Sequence, residues 1–258
     1  MKRSMMIPIG LGSIAFLFLA WPFLVRAGQS ETALDGGRGP GHCLGVQFRR
    51  TRPCIQATGE WRAEGSSLDV KVRTFLEKAR FGWGDMNVPE SDGKLLYDLV
   101  LKNNYKKALE IGTSTGHSGI WIAWALSKTG GKLITIEIDE RRHREAAANF
   151  KEAGLGDYID ARLGDAHQVV PDLKGPFDFV FSDADKDWYV NYAKAVIPKL
   201  EPGGCLASHN ISGRRGGFGR GYGGGNDGYF QYMMSLPEFE TSMAAPGSSL
   251  AVSFKKKT

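Results

Sequence analysis

Two spacings of apolar residues alternate along most of this chain, and together they outline a fold. From residue 107 onward, short apolar runs that suit buried strands are separated by stretches in which apolar positions recur every three or four residues, as on one face of a helix. The predicted strands of this part are 107–111, 132–138, 158–163, 177–182 and 204–208, and the predicted helices are 118–127, 140–153, 167–173 and 188–199. This alternation predicts a doubly wound α/β fold, in which helices cover both faces of a mostly parallel sheet.

Further elements are predicted on either side of this alternating part. A first helix begins behind Ser66, a favourable N-cap, and a second covers 91–102. After a helix over 229–235, two strands over 239–244 and 250–254 are joined by too few residues for a crossover helix. We therefore expect seven strands, of which the last two form an antiparallel C-terminal hairpin.

The first 65 residues have a different pattern. Residues 5–25 form an uncharged apolar run behind two basic residues, which is typical of an export signal or a membrane anchor. Residues 28–65 are rich in Gly, Arg and Thr and lack apolar periodicity, which predicts a flexible linker. The chain is thus divided into a signal peptide or anchor (1–27), a linker (28–65) and one folded domain (66–258).

Composition narrows the class of protein. Of 258 residues 42% are hydrophobic, enough for a sizeable core, which excludes a disordered chain. The net charge of +5 is too small to indicate nucleic acid as the partner. If the chain is exported, Cys43 and Cys54 can form a disulfide, and otherwise both stay free thiols.

A glycine-rich turn follows the first predicted strand, in the stretch ALEIGTSTGHSG at 108–119. In open α/β sheets, ligands bind at the carboxyl ends of such strands. The spacing of the glycines does not fit G-x-G-x-x-G, and Glu110 would repel a pyrophosphate. We therefore expect an adenosine-bearing ligand with a positive charge and no phosphate, such as S-adenosylmethionine (SAM), with its ribose hydroxyls on Glu137.

Several motifs together resemble those of one enzyme family. They are EIGTSTGHS at 110–118, Glu137, GDA at 164–166 and DADK at 183–186, and VPESDGKLL at 88–96 is similar to the segment that leads into the family's cofactor site. The family is that of the class I SAM-dependent methyltransferases, specifically the catechol and caffeoyl-coenzyme A type of O-methyltransferase. The resemblance runs from about residue 88 to the end of the chain.

The resemblance implies a SAM site built from these motifs. It assigns Gly112 and Ser118 to the methionine part of SAM, and Asp165 with Ala166 to the adenine. The full set of expected cofactor-binding residues is Val88, Glu110, Gly112, Ser118, Glu137, Asp165, Ala166, Asp183 and Asp185.

The resemblance also implies the chemistry of the DADK stretch. Asp183 corresponds to a divalent-metal ligand, Asp185 to a cofactor contact and Lys186 to a general base. A hard cation such as Mg²⁺ binds vicinal hydroxyls and stabilises a phenolate, which leaves Lys186 to take up the proton.

The second half of this site departs from the family, which usually has Asp-Asn where this chain has His209 and Asn210. An imidazole in place of a carboxylate removes a negative charge and a hard ligand, which weakens Mg²⁺ relative to Mn²⁺, Fe²⁺ or Zn²⁺. Three interpretations stay open. Asp183, His209 and Asn210 bind a different ion, or His209 is a catalytic base or hydrogen-bond donor without a metal, or His209 is structural.

We expect the cofactor site to be covered by the segment from 212 to 230, which has the sequence SGRRGGFGRGYGGGNDGYF. This segment either closes on an acidic or aromatic substrate, or is a surface loop without a catalytic role. Gly/Arg tracts also bind RNA, although one short tract makes nucleic acid a minor alternative.

The sequence therefore predicts a SAM-dependent O-methyltransferase acting on a hydroxyl of a small, catechol-like aromatic, with Mg²⁺ or Mn²⁺ as the candidate metal. The alternatives are a metal-independent methyltransferase acting on another oxygen or nitrogen nucleophile, and a non-catalytic SAM-fold module that contacts RNA through the Gly/Arg segment. The resemblance implies a homodimer. Because SAM is a cytosolic metabolite, an anchor with the domain facing the cytoplasm fits better than export.

Overall fold

The computed structural model describes residues 66–80, 82–83, 86–211 and 227–257. The predictions for the signal or anchor, the linker and the cysteines Cys43 and Cys54 therefore lie outside the described residues. So does most of the Gly/Arg segment. Within the described ranges, no helix is both long enough and apolar enough to span a bilayer.

Seven α-helices and seven strands occur in the described part of the chain. The helices are α1 (Ser67–Ala79), α2 (Glu90–Asn103), α3 (His117–Thr129), α4 (Glu140–Glu152), α5 (Ala166–Asp172), α6 (Tyr189–Val196) and α7 (Asp227–Ser235). The strands are β1 (Lys107–Ile111), β2 (Lys132–Glu137), β3 (Ile159–Leu163), β4 (Phe177–Ser182), β5 (Leu200–Ser208), β6 (Phe239–Met243) and β7 (Ala251–Lys255).

All seven strands belong to one sheet in the order β3-β2-β1-β4-β5-β7-β6. The first five pair in parallel, whereas β7 is antiparallel to both β5 and β6. The predicted doubly wound, mostly parallel sheet with an antiparallel hairpin is thus confirmed. The chain reverses its winding direction between β1 and β4, and a ligand crevice is expected at the carboxyl ends of these two strands.

Helices cover both faces of the sheet, and each face has its own core. On one face, side chains of α1 to α4 such as Leu96, Ile120, Trp124 and Phe150 form a buried cluster. On the other, α5, α6 and α7 pack against the sheet through residues such as Val196. Buried on both sides, the strands hold the loops at their ends in fixed positions.

One buried carboxylate fastens α1 to α3. Asp69 completes a capping box with Ser66 and also accepts hydrogen bonds from Trp124 Nε1 at 2.6 Å and Lys128 Nζ at 2.5 Å. Burial alone would raise the pKa of Asp69, but these hydrogen bonds outweigh it and hold the pKa well below its ordinary value. The polar contact therefore fixes the angle at which α1 packs.

Two predicted elements were wrong in extent. β5 begins at Leu200 rather than at 204, because Leu200 pairs with Phe177 before a bulge that absorbs the turn-like sequence EPGG. The helix predicted over 188–199 is shorter, since single 3₁₀ turns over Lys186–Trp188 and Ile197–Lys199 flank α6. Pro198 explains the second turn, because proline cannot donate a backbone hydrogen bond within a helix.

Candidate active site

A cavity of about 790 Å³ lies at the carboxyl ends of β1, β2, β4 and β5. Nine of the predicted site residues line it: Gly112, Glu137, Asp165, Ala166, Asp183, Asp185, Lys186, His209 and Asn210. Because each strand of the central sheet contributes its end to this wall, residues far apart in the sequence meet here.

The turn after β1 requires glycine at its first position. Gly112 has a φ of +95°, and a Cβ added to it would lie 2.7 Å from the carbonyl oxygen of Asp183. Gly116, which begins α3, has a φ of +98°, and its Cβ would meet the Phe150 ring at 2.7 Å. Gly112 therefore lets the turn lie close against the loop after β4, and Gly116 lets the start of α3 pack against α4.

Glu137, at the end of β2, is the cavity's best candidate for binding two hydroxyls. Its carboxylate is buried, and one oxygen accepts a hydrogen bond from the Ser114 amide at 2.7 Å, the other from the Asp139 amide at 2.9 Å. Each oxygen retains a lone pair for a further donor. A carboxylate that is held in place by two backbone amides and faces a cavity fits the vicinal hydroxyls of a ribose.

Glu110 lies beneath this wall rather than in it. It is fully buried, its Oε2 accepts from the Thr135 hydroxyl at 2.6 Å, and its Oε1 has no hydrogen-bond partner among the described residues. Burial is the largest influence and raises the pKa of Glu110 to about 7, although Ser118 and Thr135 donate to it. When it is ionised, Glu110 therefore acts on the site through its charge. Its buried side chain offers no surface for direct contact with a ligand.

Asp165 and Asp185 lie at the other end of the cavity. Asp165 caps α5 by accepting from the His167 amide at 2.9 Å. Asp185 accepts from the Tyr192 hydroxyl at 2.7 Å and contacts His167 Nε2 at 3.0 Å. Burial opposes ionisation of Asp185, but these hydrogen bonds prevail and lower its pKa. Asp185 is therefore held in its charged form, and hydrogen bonds fix the positions of both carboxylates.

Lys186 stands at the base of the cavity beside Asp183. Its Nζ lies 2.5 Å from Asp183 Oδ1 and 3.0 Å from the Tyr189 hydroxyl. Lys186 begins a 3₁₀ turn, and its side chain reaches back three residues along the chain to Asp183. An amine that faces a cavity and is supported by a carboxylate is a candidate for proton transfer.

His209, at the end of β5, is held between two aspartates. Its Nδ1 lies 3.3 Å from Asp183 Oδ2 and its Nε2 3.0 Å from Asp92 Oδ2. Burial alone would lower the pKa of His209, but the hydrogen bonds to Asp183 and Asp92 and their negative charges outweigh it and raise the pKa to about 9. The ring is therefore a cation at neutral pH.

Asp92 is one of the site residues that the sequence analysis missed. It is 3% exposed on α2 and accepts hydrogen bonds from the Ser248 and Ser249 hydroxyls, each at 3.2 Å. A signal was present, since Asp92 lies four residues before Leu96 on the apolar face of the helix. A carboxylate on a buried face needs a polar partner, although the sequence does not show that the partner is His209.

Three predicted cofactor residues do not line the cavity. Glu110 and Ser118 are buried beneath it and are hydrogen-bonded to each other. Val88 faces a second cavity of about 510 Å³, and its carbonyl oxygen accepts from His117 Nδ1 at 2.8 Å. Their contribution to ligand binding is therefore indirect in this arrangement.

The predicted metal ligands do not form a ligand set. Each oxygen of Asp183 faces a cationic side chain, one Lys186 and the other His209, while both nitrogens of His209 face carboxylates. An imidazole that donates from both nitrogens has no lone pair for a metal. Over the described ranges, no group of three His, Cys, Asp or Glu side chains is arranged to bind a metal ion. The residues as placed do not fit a divalent cation.

The chain is similar both to one sequence family as a whole and to single known proteins. The sequence model of the O-methyltransferase family matches residues 63–214, more than half of the chain. A catechol O-methyltransferase of Niastella koreensis is 36% identical over 151 residues, which cover 57% of this chain and 68% of the relative. Caffeoyl-CoA O-methyltransferase 1 of Eucalyptus globulus is 34% identical over 137 residues, which cover 51% of this chain and 55% of the relative.

Solved structures have the same fold. An O-methyltransferase from Bacillus cereus in complex with SAH superposes with a TM-score of 0.59 at 25% identity, covering 73% of this chain and 91% of that one. The SAH-bound methyltransferase PaMTH1 of Podospora anserina gives a TM-score of 0.63 at 21% identity, over 73% of this chain and 88% of that one. Together with the family match over 63–214, these similarities show that the chain belongs to the O-methyltransferase family.

Proposed function

We propose that this chain transfers a methyl group from SAM to a hydroxyl group of a small aromatic acceptor. The observation that carries the proposal is the arrangement within one cavity of Glu137, a buried carboxylate suited to a ribose, and Lys186, an amine suited to a hydroxyl proton. SAM supplies a methyl group on a positively charged sulfur, and the negative charges of Glu137, Asp165 and Asp185 favour a cationic ligand.

Lys186 is the proposed base. In its neutral form Nζ takes up the proton of the acceptor hydroxyl as the oxygen bonds to the methyl carbon and the carbon–sulfur bond breaks. The ammonium that results is stabilised by Asp183, 2.5 Å away, and by the Tyr189 hydroxyl at 3.0 Å. The ion pair in the structure thus corresponds to the protonation state after transfer.

The acceptor class is supported by the relatives. The Niastella koreensis relative is named for catechol and the Eucalyptus globulus relative for caffeoyl-CoA, and both names denote aromatic hydroxyl compounds. The chain spans 55% of the length of the Eucalyptus relative, and an acceptor as large as a coenzyme A ester is accordingly not part of the proposal.

The test is methyl transfer by the full chain from isotopically labelled SAM to a panel of catechols and phenols, with the products identified by mass spectrometry. We expect transfer to at least one aromatic hydroxyl, and a loss of about 100-fold in kcat in Lys186→Met, within the usual range for removal of a general base. Lys174→Met, at an exposed position away from the cavity, is the matched control. SAM binding without transfer to any acceptor of the panel, or full activity in Lys186→Met, would contradict the proposal.

We propose further that residues 5–25 anchor the domain to a membrane with its active site in the cytoplasm. The support is the uncharged apolar run in the sequence and the need for SAM. Cell fractionation followed by protease treatment of intact cells tests this. A mature chain that begins after residue 27 in the external medium would exclude the anchor.

A further inference from the structure

One imidazole ring lies between two buried carboxylates at the wall of the acceptor cavity. His209 is 6% exposed and Asp92 3% exposed, and His209 Nε2 also lies 2.9 Å from the Ser249 hydroxyl. Three separate parts of the chain hold the ring: α2 through Asp92, the loop after β4 through Asp183, and the residues before β7 through Ser249. An arrangement with contacts from three sides is rigid.

The geometry fixes the charge of this ring. A neutral imidazole has one donor nitrogen and one acceptor nitrogen, and an acceptor nitrogen facing a carboxylate places two lone pairs in opposition. Nδ1 faces Asp183 at 3.3 Å and Nε2 faces Asp92 at 3.0 Å, while the Ser249 hydroxyl beside Nε2 donates its proton to Asp92, so both ring nitrogens face acceptors and are placed to donate. The ring is therefore an imidazolium.

Four charged side chains at one end of the cavity form a cluster in which each carboxylate faces a cationic group. Asp92 and Asp183 carry two negative charges, and His209 and Lys186 carry two positive ones, within direct contact of one another. The Tyr189, Ser248 and Ser249 hydroxyls that contact this cluster are neutral, and the buried Glu110 is the further titratable group on which the charge of Asp183 acts. A divalent cation on Asp183 would have to displace both of its cationic partners and would repel each of them.

We propose that His209 provides, as part of the protein, the positive charge that a divalent cation would otherwise provide in the acceptor site, and that methyl transfer by this chain needs no metal ion. The proposal rests on the methyl-transfer function proposed above and names the source of its electrostatic stabilisation. His209 lines the cavity next to Lys186, where a fixed positive charge lowers the energy of the oxyanion formed as the hydroxyl loses its proton. Asp92 is the positioning residue, since it orients the ring without reaching the cavity.

The first experiment measures metal binding directly, on the full chain dialysed against EDTA. Mn²⁺ is titrated into the protein and followed by electron paramagnetic resonance, in which bound and free Mn²⁺ differ. We expect no binding to the wild-type chain at up to millimolar Mn²⁺. In His209→Asp, which replaces the cation by a carboxylate, we expect binding, and His143→Asp on α4 controls for the addition of a carboxylate elsewhere.

The second experiment measures activity on the same proteins, with EDTA or with Mg²⁺ or Mn²⁺ added. The wild-type rate should change less than twofold between these conditions. His209→Asp should lose about tenfold or more in EDTA and recover with added ion, and His209→Gln, neutral and of similar length, should lose activity that no ion restores. If His209→Asp does not fold, the wild-type chain and His209→Gln still decide the question.

The outcomes separate the two proposals. Mn²⁺ binding to the wild-type chain, or activity that EDTA abolishes and one ion restores, would overturn the role of His209 while leaving methyl transfer intact. Absence of methyl transfer under all conditions would overturn the proposed function instead, and the Mn²⁺ titration would still decide whether a metal binds.

Discussion

At the scale of single residues, the stability of the site depends on how each buried charge is paired. Asp92 and His209 have side chains that are 4% and 7% exposed, and their contact distance is 3.0 Å. Removing one member of such a pair leaves the other as an uncompensated charge in a medium of low polarity, which costs about 3–5 kcal/mol.

We therefore expect Asp92→Ala to lower the free energy of unfolding by about 3 kcal/mol, measured by urea denaturation. Asp98→Ala is the matched control, because Asp98 lies on the same helix and pairs with Lys102 at 2.9 Å on the surface. A surface pair contributes about 0.2–1 kcal/mol. Equal losses in the two variants would mean that burial of the Asp92 pair has no energetic consequence.

Glu110 predicts a pH dependence of cofactor binding. Burial raises its pKa to about 7, so its carboxyl group is largely neutral at pH 6 and charged at pH 8. The sulfonium of SAM is attracted only to the charged form, and we expect SAM affinity to increase on the order of fivefold from pH 6 to pH 8, about 1 kcal/mol. Isothermal titration calorimetry at each pH measures this.

The control for Glu110 is a second ligand. SAH has no charge on its sulfur but shares the other titrating groups of SAM, so its affinity should change less with pH. Glu110→Gln should remove the difference between the two ligands. If SAM and SAH respond equally to pH in the wild-type chain, the charge of Glu110 does not act on the sulfonium.

The residues of the site differ in how far the sequence could predict them. Glu137 is the last residue of β2, and Asp183 and Lys186 lie within four residues of the end of β4; parallel strands bring their carboxyl ends to the same edge of the sheet. Asp92 could not be assigned in this way, because its partner His209 lies 117 residues away and only the tertiary structure brings them together.

At the scale of elements, the turn between β1 and α3 shows where backbone conformation is decisive. Gly112 combines a positive φ with a close approach to Asp183, and either feature alone disfavours a side chain.

We expect Gly112→Ala to destabilise the protein by about 2 kcal/mol or more and to weaken SAM binding, because the turn must move away from the loop after β4. Gly156→Ala is the control, since a Cβ there has no neighbour within 4 Å and the φ of Gly156 is not positive. The control should change the free energy of unfolding by at most about 0.5 kcal/mol. Unfolding in urea and calorimetry with SAM measure both effects, and similar results for the two variants would contradict the close contact.

Element boundaries were predicted well where one local signal dominates. The strands predicted over 107–111 and 177–182 are found at those bounds, because in each a short run of mostly buried residues is bounded by exposed or turn-forming residues. The start of β5 was wrong because Pro202 and Gly203 indicate a turn locally, whereas pairing with β4 extends the strand through them. The sequence around Pro202 and Gly203 does not show that β4 lies alongside and pairs with this segment.

At the scale of the whole molecule, the order of the strands was beyond prediction from local patterns. The hairpin of β6 and β7 was expected, but the sequence does not show which of the two pairs with β5. The choice depends on contacts between distant residues, such as those of Ser248 and Ser249 with Asp92, which hold the start of β7 against α2.

The active-site elements that the structure describes lie between residues 66 and 257, and we expect residues 66–258 expressed alone to fold and to bind SAM. Its Kd should lie within about threefold of the value for the full chain, a difference of less than about 0.7 kcal/mol. Circular dichroism tests whether the truncated chain folds, and calorimetry measures its Kd for SAM. A truncated chain that is soluble and folded but does not bind SAM would show that residues 1–65 contribute to the site.

The position of β7 between β5 and β6 also determines when the site can be completed during protein synthesis. Because the ribosome releases the chain from its N-terminus, β6 emerges before the strand with which it pairs, and the edge of β5 stays open until β7 follows. Ser248 and Ser249 emerge in the same late step, immediately ahead of β7. A nascent chain that has already formed its five parallel strands therefore still lacks the hydroxyls that secure Asp92 and His209. The active site can be completed only after β7 has inserted between β5 and β6.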